Sequence, residues 1–307
     1  MRIIFMGTPD FAVPSLRALA RAGYTPIAVV TSPDKARGRG RKVSPTPVKL
    51  AAQELGIETI LQPESVKALS FAEQIEALDA DLQVVVAFRI LPPAVFEAAR
   101  LGAFNLHGSL LPRYRGAAPI HRAVIAGDTV TGVTTFFLKK KVDTGNMILQ
   151  RAMPIGTDDT TGDVHDRMML LGASAVVETV RLIGAGKAEP LPQDDAQATP
   201  APKVFRDQAE IDWSLTDAEV HNHIRGHSPV PGAWTVFGGK AFKVYRSRIA
   251  EGSGLPGEIL EARDRLVVAC GTSAVQLTEV QPQGRRRMGA EAFLNGTQVD
   301  VGTILPA

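Results

Sequence analysis

Cysteine and long apolar runs are the scarcest features of this 307-residue sequence. The single cysteine, Cys270, leaves no pair for a disulfide and no set for a cysteine-ligated zinc site. No apolar run reaches the roughly 18 residues that a membrane-spanning helix needs. Residues 1–7 resemble a signal peptide only superficially, because their apolar part is too short. These absences predict a cytoplasmic protein that does not bind a membrane.

Nucleotide-binding motifs and a strong net charge are missing as well. Gly7 follows the first expected strand, but neither Gly-x-Gly-x-x-Gly nor a Walker motif accompanies it, which argues against a dinucleotide site. The net charge is only +2, so the whole chain has no general attraction to nucleic acid. Five of the six histidines show no metal-ligand spacing, and we expect no metal and surface positions for them: His121, His165, His221, His223 and His227.

Alternating strands and helices predict the fold class. Residues 84–87, Val-Val-Val-Ala, are apolar without alternation, which is typical of a strand buried on both faces of a parallel sheet. Five short segments between residues 233 and 280, separated by glycine turns, suit a small antiparallel barrel. We therefore predict an α/β fold with a doubly wound, mostly parallel sheet, followed by a small OB-like β-barrel. In such α/β folds, ligands bind outside the carboxyl ends of the strands.

A proline-rich segment indicates where the two domains meet. Residues 190–202 contain four prolines, small residues and no periodicity. We predict a catalytic domain over residues 1–189, a linker over 190–205 and a C-terminal domain over 206–307. Near the start of the last, Thr216 and Glu219 form the pattern of a helix-capping box.

Residues 104–119 form an apolar strand followed by a turn rich in glycine and proline, Phe-Asn-Leu-His-Gly-Ser-Leu-Leu-Pro-Arg-Tyr-Arg-Gly-Ala-Ala-Pro. Asn105 and His107 are two apart, so on a strand their side chains point the same way. Attack on a carbonyl needs a donor for the oxyanion and a base for the nucleophile's proton. Asn and His can supply these two functions. Asp143, between two expected strands, is the best candidate for a third, carboxylate group.

This wider pattern resembles the folate-dependent formyltransferases. The shared elements are the Ser-Leu-Leu-Pro turn at 109–112, Arg113, Arg115-Gly116, Asp143-Thr144-Gly145 and the loop Gly7-Thr8-Pro9-Asp10-Phe11. The resemblance implies that Asn105, His107 and Asp143 are the catalytic residues and that 10-formyltetrahydrofolate is the donor. Around Arg89 the sequence is one residue shorter than is usual in the family. The resemblance also implies folate contacts from Phe88, Arg89, Ile90, Leu91, Ser109, Leu110, Leu111 and Pro112.

A basic segment adds a second signal. Residues 35–42 hold five basic side chains in eight positions, and glycines and prolines within and after them predict a mobile loop. Arginine suits phosphate because its fork binds two oxygens at once. A solvated surface loop is the alternative interpretation. The segment resembles the loop that methionyl-tRNA formyltransferases insert into the acceptor arm of initiator tRNA. The resemblance implies tRNA contacts from Arg37, Arg39, Arg41 and Lys42.

The C-terminal part has no net positive charge that would indicate RNA binding. From Arg206 onward there are eleven Lys and Arg against twelve Asp and Glu, so binding would depend on patches. Solvated charge is again the alternative. The motifs Asp212-Trp213, Pro-Gly-Ala-Trp at 231–234 and Phe-Leu-Asn-Gly at 293–296 extend the resemblance nearly to the end. We expect two patches, one on a single face of a strand pair and one in a turn: Lys240, Arg246 and Arg248, and Arg285, Arg286 and Arg287.

The predicted function is transfer of a formyl group to the α-amine of methionyl initiator tRNA, with the tRNA and the folate donor as partners and no protein partner implied. Three alternatives stay open: transfer to a nucleotide-sugar amine, hydrolysis of formyl-folate, and non-enzymatic RNA binding. The basic loop and the long C-terminal part argue against the first two, and the intact trio argues against the third. The lysine run 139–141 could contact the glutamate tail of folate, contact tRNA or simply be exposed.

Overall fold

The computed structural model describes residues 1–37 and 42–306. It divides into two compact units. The first unit comprises residues 1–116, 132–153 and 165–200, and the second comprises residues 117–131, 154–164 and 201–307, of which residue 307 lies outside the description. The predicted boundaries at 189 and 205 stay a prediction. Two short segments of the expected catalytic domain, 117–131 and 154–164, belong to the second unit.

Seventeen strands occur in the described part of the chain. They are β1 Ile3–Gly7, β2 Ala28–Val30, β3 Lys35–Arg37, β4 Lys42–Ser44, β5 Ile60–Leu61, β6 Leu82–Val86, β7 Ala103–His107, β8 Arg115–Gly116, β9 Val130–Phe137, β10 Met147–Pro154, β11 Pro200–Ala201, β12 Ala233–Phe237, β13 Lys240–Ala250, β14 Ile259–Ala262, β15 Leu266–Ala269, β16 Ala274–Pro282 and β17 Met288–Gly289.

Eight α-helices and three short 3-10 turns accompany them in the same described ranges. The helices are α1 Val13–Arg21, α2 Pro47–Glu54, α3 Leu69–Ala77, α4 Pro93–Phe96, α5 Pro119–Ile125, α6 Thr161–Gly184, α7 Asp217–Gly226 and α8 Ala290–Asn295, and the 3-10 turns are Asp10–Ala12, Asp195–Gln197 and Asp207–Ala209. No helix within these ranges is long and apolar enough to cross a bilayer.

A seven-stranded sheet forms the centre of the first unit, in the order β10-β9-β7-β6-β1-β2-β5. The five strands from β7 to β5 run parallel, and β9 is antiparallel to β7. Every residue of β1 and β6 is buried, as the uniformly apolar sequence predicts for strands covered on both faces. The order reverses beside β1, and the carboxyl end of β7 presents His107 at the edge where such sheets bind ligands.

The second unit is built on an antiparallel sheet in the order β12-β13-β16-β15-β14, with β17 paired to β16. Its core surrounds Trp213, which is fully buried. The predicted capping box at the start of α7 is confirmed, because Thr216 and Glu219 cap each other reciprocally. The predicted fold class, a mostly parallel α/β domain followed by an antiparallel β domain, is confirmed. Closure of the second sheet into a barrel stays a prediction.

Candidate active site

Strand β7 places Asn105 and His107 on one side of the central sheet. The strand pairs with β6 in parallel and with β9 in antiparallel register, so its backbone is held from both sides. Phe104 and Leu106 are buried, whereas Asn105 is half-buried. Among the described residues the Asn105 amide has no hydrogen-bond partner, so its donor is available to a ligand.

The backbone of Tyr114 determines the tautomer of His107. Nε2 lies 2.8 Å from the carbonyl oxygen of Tyr114, and a carbonyl only accepts, so Nε2 carries the hydrogen and donates. In the neutral ring, Nδ1 is therefore the acceptor. The ring is 6% exposed and meets Phe136 edge-on, with the ring centroids 6.4 Å apart. His107 thus has a ring that is held in place, and within residues 1–37 and 42–306 Nδ1 is the nitrogen that is left without a hydrogen bond.

The turn after β7 is held by its own hydrogen bonds. Ser109 Oγ donates to the carbonyl of Arg113 at 2.6 Å, and Thr134 Oγ1 donates to the carbonyl of Ser109 at 2.7 Å. The amide nitrogen of Leu111 donates back to Thr134 Oγ1 at 3.0 Å. This network gives the Ser-Leu-Leu-Pro segment, residues 109–112, a structural role next to His107. It shapes the turn that brings the Tyr114 carbonyl to His107.

Asp143 lies in a tight turn between β9 and β10 whose sequence is determined by local geometry. Its φ of 55° is in the left-handed region that few residues other than glycine adopt. Gly145 must be glycine, because a side chain there would overlap the carbonyl of Phe137. The amide nitrogen of Gly116 donates to Asp143 Oδ2 at 2.9 Å and orients the carboxylate.

The three predicted catalytic side chains come together, although they lie 38 positions apart in the chain. Asp143 Oδ2 is 4.0 Å from His107 Nδ1, and the two side chains are 13% and 7% exposed. That distance is longer than a hydrogen bond, so the side chains of Asp143 and His107 are not hydrogen-bonded to each other. Asp143 Oδ2 thus faces Nδ1, the ring nitrogen without a hydrogen bond in the described part of the chain, across a poorly solvated gap. As far as the described residues go, the site therefore contains an unbonded amide donor, an imidazole nitrogen with a free lone pair and a carboxylate that faces it.

The predicted folate-contacting side chains are not all available. Ser109 is fully buried with its hydroxyl bonded to Arg113, and Leu111 is 3% exposed, so any contact from their side chains would need the turn to move. Arg89 donates to the carbonyls of Pro63 and Glu64, at 2.7 and 3.0 Å. Its guanidinium is thus used in holding a loop, and burial lowers its pKa. Leu91 is also buried, at 7% exposure, whereas Arg89 and four further residues have half-buried or exposed side chains: Phe88, Ile90, Leu110 and Pro112.

The basic segment contains a strand pair where a loop was predicted. Strands β3 and β4 pair antiparallel, with Lys35 opposite Ser44. The prediction of an irregular loop is therefore wrong for residues 35–37 and 42–44, which form these two strands. The predicted tRNA contacts Arg39 and Arg41 lie outside the described residues, as do the side chains of Arg37 and Lys42.

The predicted basic face on β13 is wrong. The register shifts between Val244 and Ser247. Side chains after that bulge therefore point to the face opposite to the one that strict alternation would give them. Lys240 lies on the same face of β13 as Val244, the face that packs on the core. Arg246 and Arg248 lie on the opposite face. A sequence count of every second residue cannot detect such a bulge.

Three of the predicted phosphate-binding arginines are paired with carboxylates, Arg248 only by an ion pair with Asp158 at 3.8 Å and the other two by hydrogen bonds. Arg246 bonds both carboxylate oxygens of Asp163, at 2.8 and 2.9 Å. Arg287 bonds Glu279 and stacks on Tyr245, with its guanidinium carbon 4.3 Å from the ring centroid. The residues of the two patches whose side chains are more exposed are Lys240, Arg248, Arg285 and Arg286.

The expectation of surface histidines is wrong for His221 and His227, which are 5% and 2% exposed. His221 bonds Ser247 Oγ and the Thr157 carbonyl, each at 2.9 Å, and His227 Nδ1 donates to the His223 carbonyl at 2.8 Å. Backbone and hydroxyl partners allow these rings to be buried. Across residues 1–37 and 42–306, no group of three or more His, Cys, Asp or Glu side chains could hold a metal ion.

Sequence reasoning missed Gln193. Its side chain bonds the carbonyls of Asp143 and Gly145 and accepts from Arg115. It lies in the segment that we read as a linker, yet residues up to Pro200 belong to the first unit. The composition of that segment carried no signal for these contacts, which span 48 to 78 positions.

Known proteins resemble the chain over almost its whole length. The family model described as formyl transferase matches residues 1–180, and the model of the formyl transferase C-terminal domain matches residues 203–298. A methionyl-tRNA formyltransferase of Chlorobium luteolum is 48% identical, with 98% of each chain covered. One of Pelotomaculum thermopropionicum is 46% identical, covering 99% of this chain and 98% of the relative.

Solved structures of lower identity show the same fold. An N-formyltransferase from Helicobacter canadensis, in complex with folinic acid and dTDP-3-aminofucose, has a TM-score of 0.69 at 19% identity, covering 92% of this chain and 99% of its own. A methionyl-tRNA formyltransferase from Clostridium thermocellum has a TM-score of 0.56 at 15% identity, with coverages of 82% and 95%. The expected resemblance is confirmed by the two family models and the relatives at 46–48% identity. This chain belongs to the formyl transferase family.

Proposed function

We propose that the chain transfers a formyl group from 10-formyltetrahydrofolate to the α-amine of methionyl initiator tRNA, in the cytoplasm, for translation initiation. Relatives with the name methionyl-tRNA formyltransferase share 44–48% identity with it over nearly the full length. The observation that carries the chemistry is the grouping of Asn105, His107 and Asp143, with an unbonded donor and an available ring nitrogen. This grouping is what acyl transfer to an amine requires.

Asn105 is assigned to the oxygen of the formyl group. As the amine attacks, that oxygen gains negative charge, and the half-buried amide N–H of Asn105 donates to it. A donor already held in place costs no reorganisation during the reaction, and removing one such donor typically costs about 3 to 4 kcal/mol. The strand pairing on both sides of β7 keeps this donor rigid.

His107 and Asp143 are assigned to the proton. The attacking amine loses one proton to His107 Nδ1, because Nε2 is already donating to Tyr114. Asp143, 4.0 Å from Nδ1, stabilises the resulting cation. The same proton then passes, through water, to the folate nitrogen that leaves. The amine attacks the formyl carbon directly, so no covalent intermediate on the protein is needed.

The tRNA-binding part of the proposal rests on the basic hairpin and on the more exposed cations of the second unit. Residues 35–42 carry five basic side chains and connect two strands of the first unit. Phosphate contacts from such side chains give affinity that falls with salt. The lysine run 139–141 helps to line an open groove of about 650 Å³, which the end of α4, the start of β7 and the end of β9 also border. The glutamate tail of folate and tRNA are the two candidate ligands for this lysine run.

A competition among acceptors tests the proposed function. Formyl label from 10-formyltetrahydrofolate would be offered to methionyl initiator tRNA, methionyl elongator tRNA, a dTDP-amino sugar and water. We expect transfer to the initiator tRNA far above the other three. Transfer only to the amino sugar, or release of free formate, would contradict the tRNA assignment and favour one of the other formyl-folate reactions. No turnover of any acceptor would favour RNA binding without catalysis.

A further inference from the structure

Gln193 connects the Asp143 turn to strand β8. Its Nε2 donates to the carbonyl oxygens of Asp143 and Gly145, at 2.9 and 2.8 Å. Its Oε1 accepts from Nε and Nη2 of Arg115, at 2.9 and 2.7 Å. All four bonds require the amide nitrogen to face the turn and the amide oxygen to face Arg115. The guanidinium, which can only donate, therefore fixes the orientation of the Gln193 amide.

Arg115 is itself held firmly. Its Nη2 lies 2.7 Å from Asp195 Oδ1, and its amide nitrogen donates to the Thr199 carbonyl at 2.9 Å. The hydrogen bond from Arg115, together with its charge, lowers the pKa of Asp195 below its usual value. The Arg115 side chain is only 14% exposed, so its bonds to Gln193 compete little with water. Asp195, Arg115 and Gln193 thus form one continuous chain of bonds that ends on the Asp143 turn.

The Asp143 turn needs an external support. The φ of Asp143 is 55°, in a left-handed region that aspartate enters more readily than most residues but that is still a minority conformation, so contacts from outside the turn help to select it. Gln193 holds the carbonyl of Asp143, and the Gly116 amide holds its carboxylate. Both supports start from β8, which contains Arg115 and Gly116. Together they place Asp143 Oδ2 near His107 Nδ1.

We propose that Gln193 is a positioning residue for catalysis, which holds Asp143 where its carboxylate can stabilise protonated His107. This inference rests on the proposed function and adds a residue from the proline-rich segment to the catalytic apparatus. Gln193 acts through Asp143 and is not assigned a contact with the substrate.

Two substitutions separate the bonds of Gln193. Gln193→Glu has the same size and keeps an acceptor for Arg115, but it turns an oxygen toward two carbonyl oxygens and so releases the turn. Gln193→Ala removes both halves. Gln197→Ala is the matched control, because the Gln197 amide lies in the same segment and bonds only Asp194, at 2.9 Å.

We expect kcat to fall about 10- to 100-fold in both Gln193 variants, as a misplacement of about 1 Å does, while KM for methionyl-tRNA changes less than about twofold. Gln197→Ala should keep both constants. In an Asp143→Ala background, Gln193→Ala should cost almost nothing further, because the carboxylate that it positions is already gone. Equal and additive losses in the two backgrounds would overturn the inference, since they would indicate a general structural role.

Amide hydrogen exchange at Gly116 provides a test that needs no catalysis. Its N–H bonds the Asp143 carboxylate, so exchange reports where that carboxylate is. We expect faster exchange in Gln193→Glu and wild-type exchange in Gln197→Ala. If the wild type transfers no formyl to tRNA, the proposed function fails, but this measurement still tests whether Gln193 holds Asp143 in position. Unchanged Gly116 exchange in Gln193→Glu would overturn the inference.

Discussion

At the scale of single residues, the two nitrogens of His107 have separate tasks. Nε2 is bonded to the Tyr114 carbonyl, whereas Nδ1 faces Asp143. Glutamine places an amide donor close to the position of Nε2 but has nothing equivalent to Nδ1 as a base. A glutamine at position 107 therefore separates the structural task from the chemical one.

We predict that His107→Gln folds normally and loses about 10²- to 10⁴-fold in kcat, the usual contribution of a general base. Steady-state kinetics with urea unfolding would measure both effects. His121→Gln is the matched control, because His121 also has Nε2 beside a backbone carbonyl, that of Val230 at 3.1 Å. Retention of wild-type kcat in His107→Gln would refute the assignment of the base.

The arginines of β13 carry a second prediction at this scale. Arg246 pairs with Asp163, and although burial opposes it, bonds from Thr160 and the charge of Arg246 lower the pKa of that carboxyl. Arg246→Ala should therefore lower the free energy of unfolding by about 1 kcal/mol. Arg248 forms only an exposed ion pair with Asp158, at 3.8 Å, so Arg248→Ala should leave stability nearly unchanged and reduce the salt slope of tRNA binding by roughly one. Loss of stability in Arg248→Ala but not in Arg246→Ala would contradict the structural role of the Arg246–Asp163 pair.

At the scale of elements, the β3–β4 hairpin separates substrate choice from chemistry. Its strands belong to the first unit, but none of its residues is among the trio on β7 and the Asp143 turn. A change in the connecting residues should therefore affect placement of the tRNA and leave the acid–base residues intact.

We predict that Arg39→Ala combined with Arg41→Ala lowers kcat/KM for methionyl initiator tRNA at least about tenfold and makes the rate less sensitive to salt. Lys67→Ala, in an exposed part of the first unit, is the control for loss of positive charge. Rates would be measured over a range of salt concentrations. If the double variant matched the control at every salt concentration, the hairpin would have no part in tRNA binding.

At the scale of the whole molecule, local sequence pattern predicted the fold class and the placement of Asn105 and His107 on one side of a strand, whereas the catalytic roles of the trio came from the family resemblance and stay a prediction. The apolar run of β6 requires burial on two faces, and the two-residue spacing puts Asn105 and His107 on one side of β7. Contacts distant in sequence could not be predicted. Gln193 reaches Asp143 across 50 positions, and neither the bulge in β13 nor the partners that bury His221 leave a mark in local composition.

Buried histidines predict how the stability of the molecule depends on pH. Burial, followed by the neighbouring His223, lowers the pKa of His227 to about 4, and burial also lowers the pKa of His221 and His223. The folded protein keeps these rings neutral while the unfolded chain binds protons near 6.5. The contribution of His227 is complete above that pH and is lost as the pH falls toward 4. His227 alone should cost about 2 kcal/mol by pH 5.

Urea unfolding at a series of pH values would test this prediction. His227→Asn keeps a donor for the His223 carbonyl but cannot titrate, so its stability should fall less steeply than that of the wild type between about pH 6.5 and 4. His165→Asn, at a partly exposed ring on α6, should keep the wild-type slope. Identical slopes for wild type and His227→Asn would show that His227 does not contribute.

The central claim is that the Asn105 donor on β7 drives formyl transfer to methionyl initiator tRNA. The most direct test is the initial rate of labelled N-formylmethionyl-tRNA formation by wild type, Asn105→Ala and Asn295→Ala, the last at an exposed asparagine of α8. The account predicts transfer by wild type and Asn295→Ala, and a loss of about 10²- to 10³-fold in kcat in Asn105→Ala with tRNA binding retained. Equal rates for wild type and Asn105→Ala would contradict it.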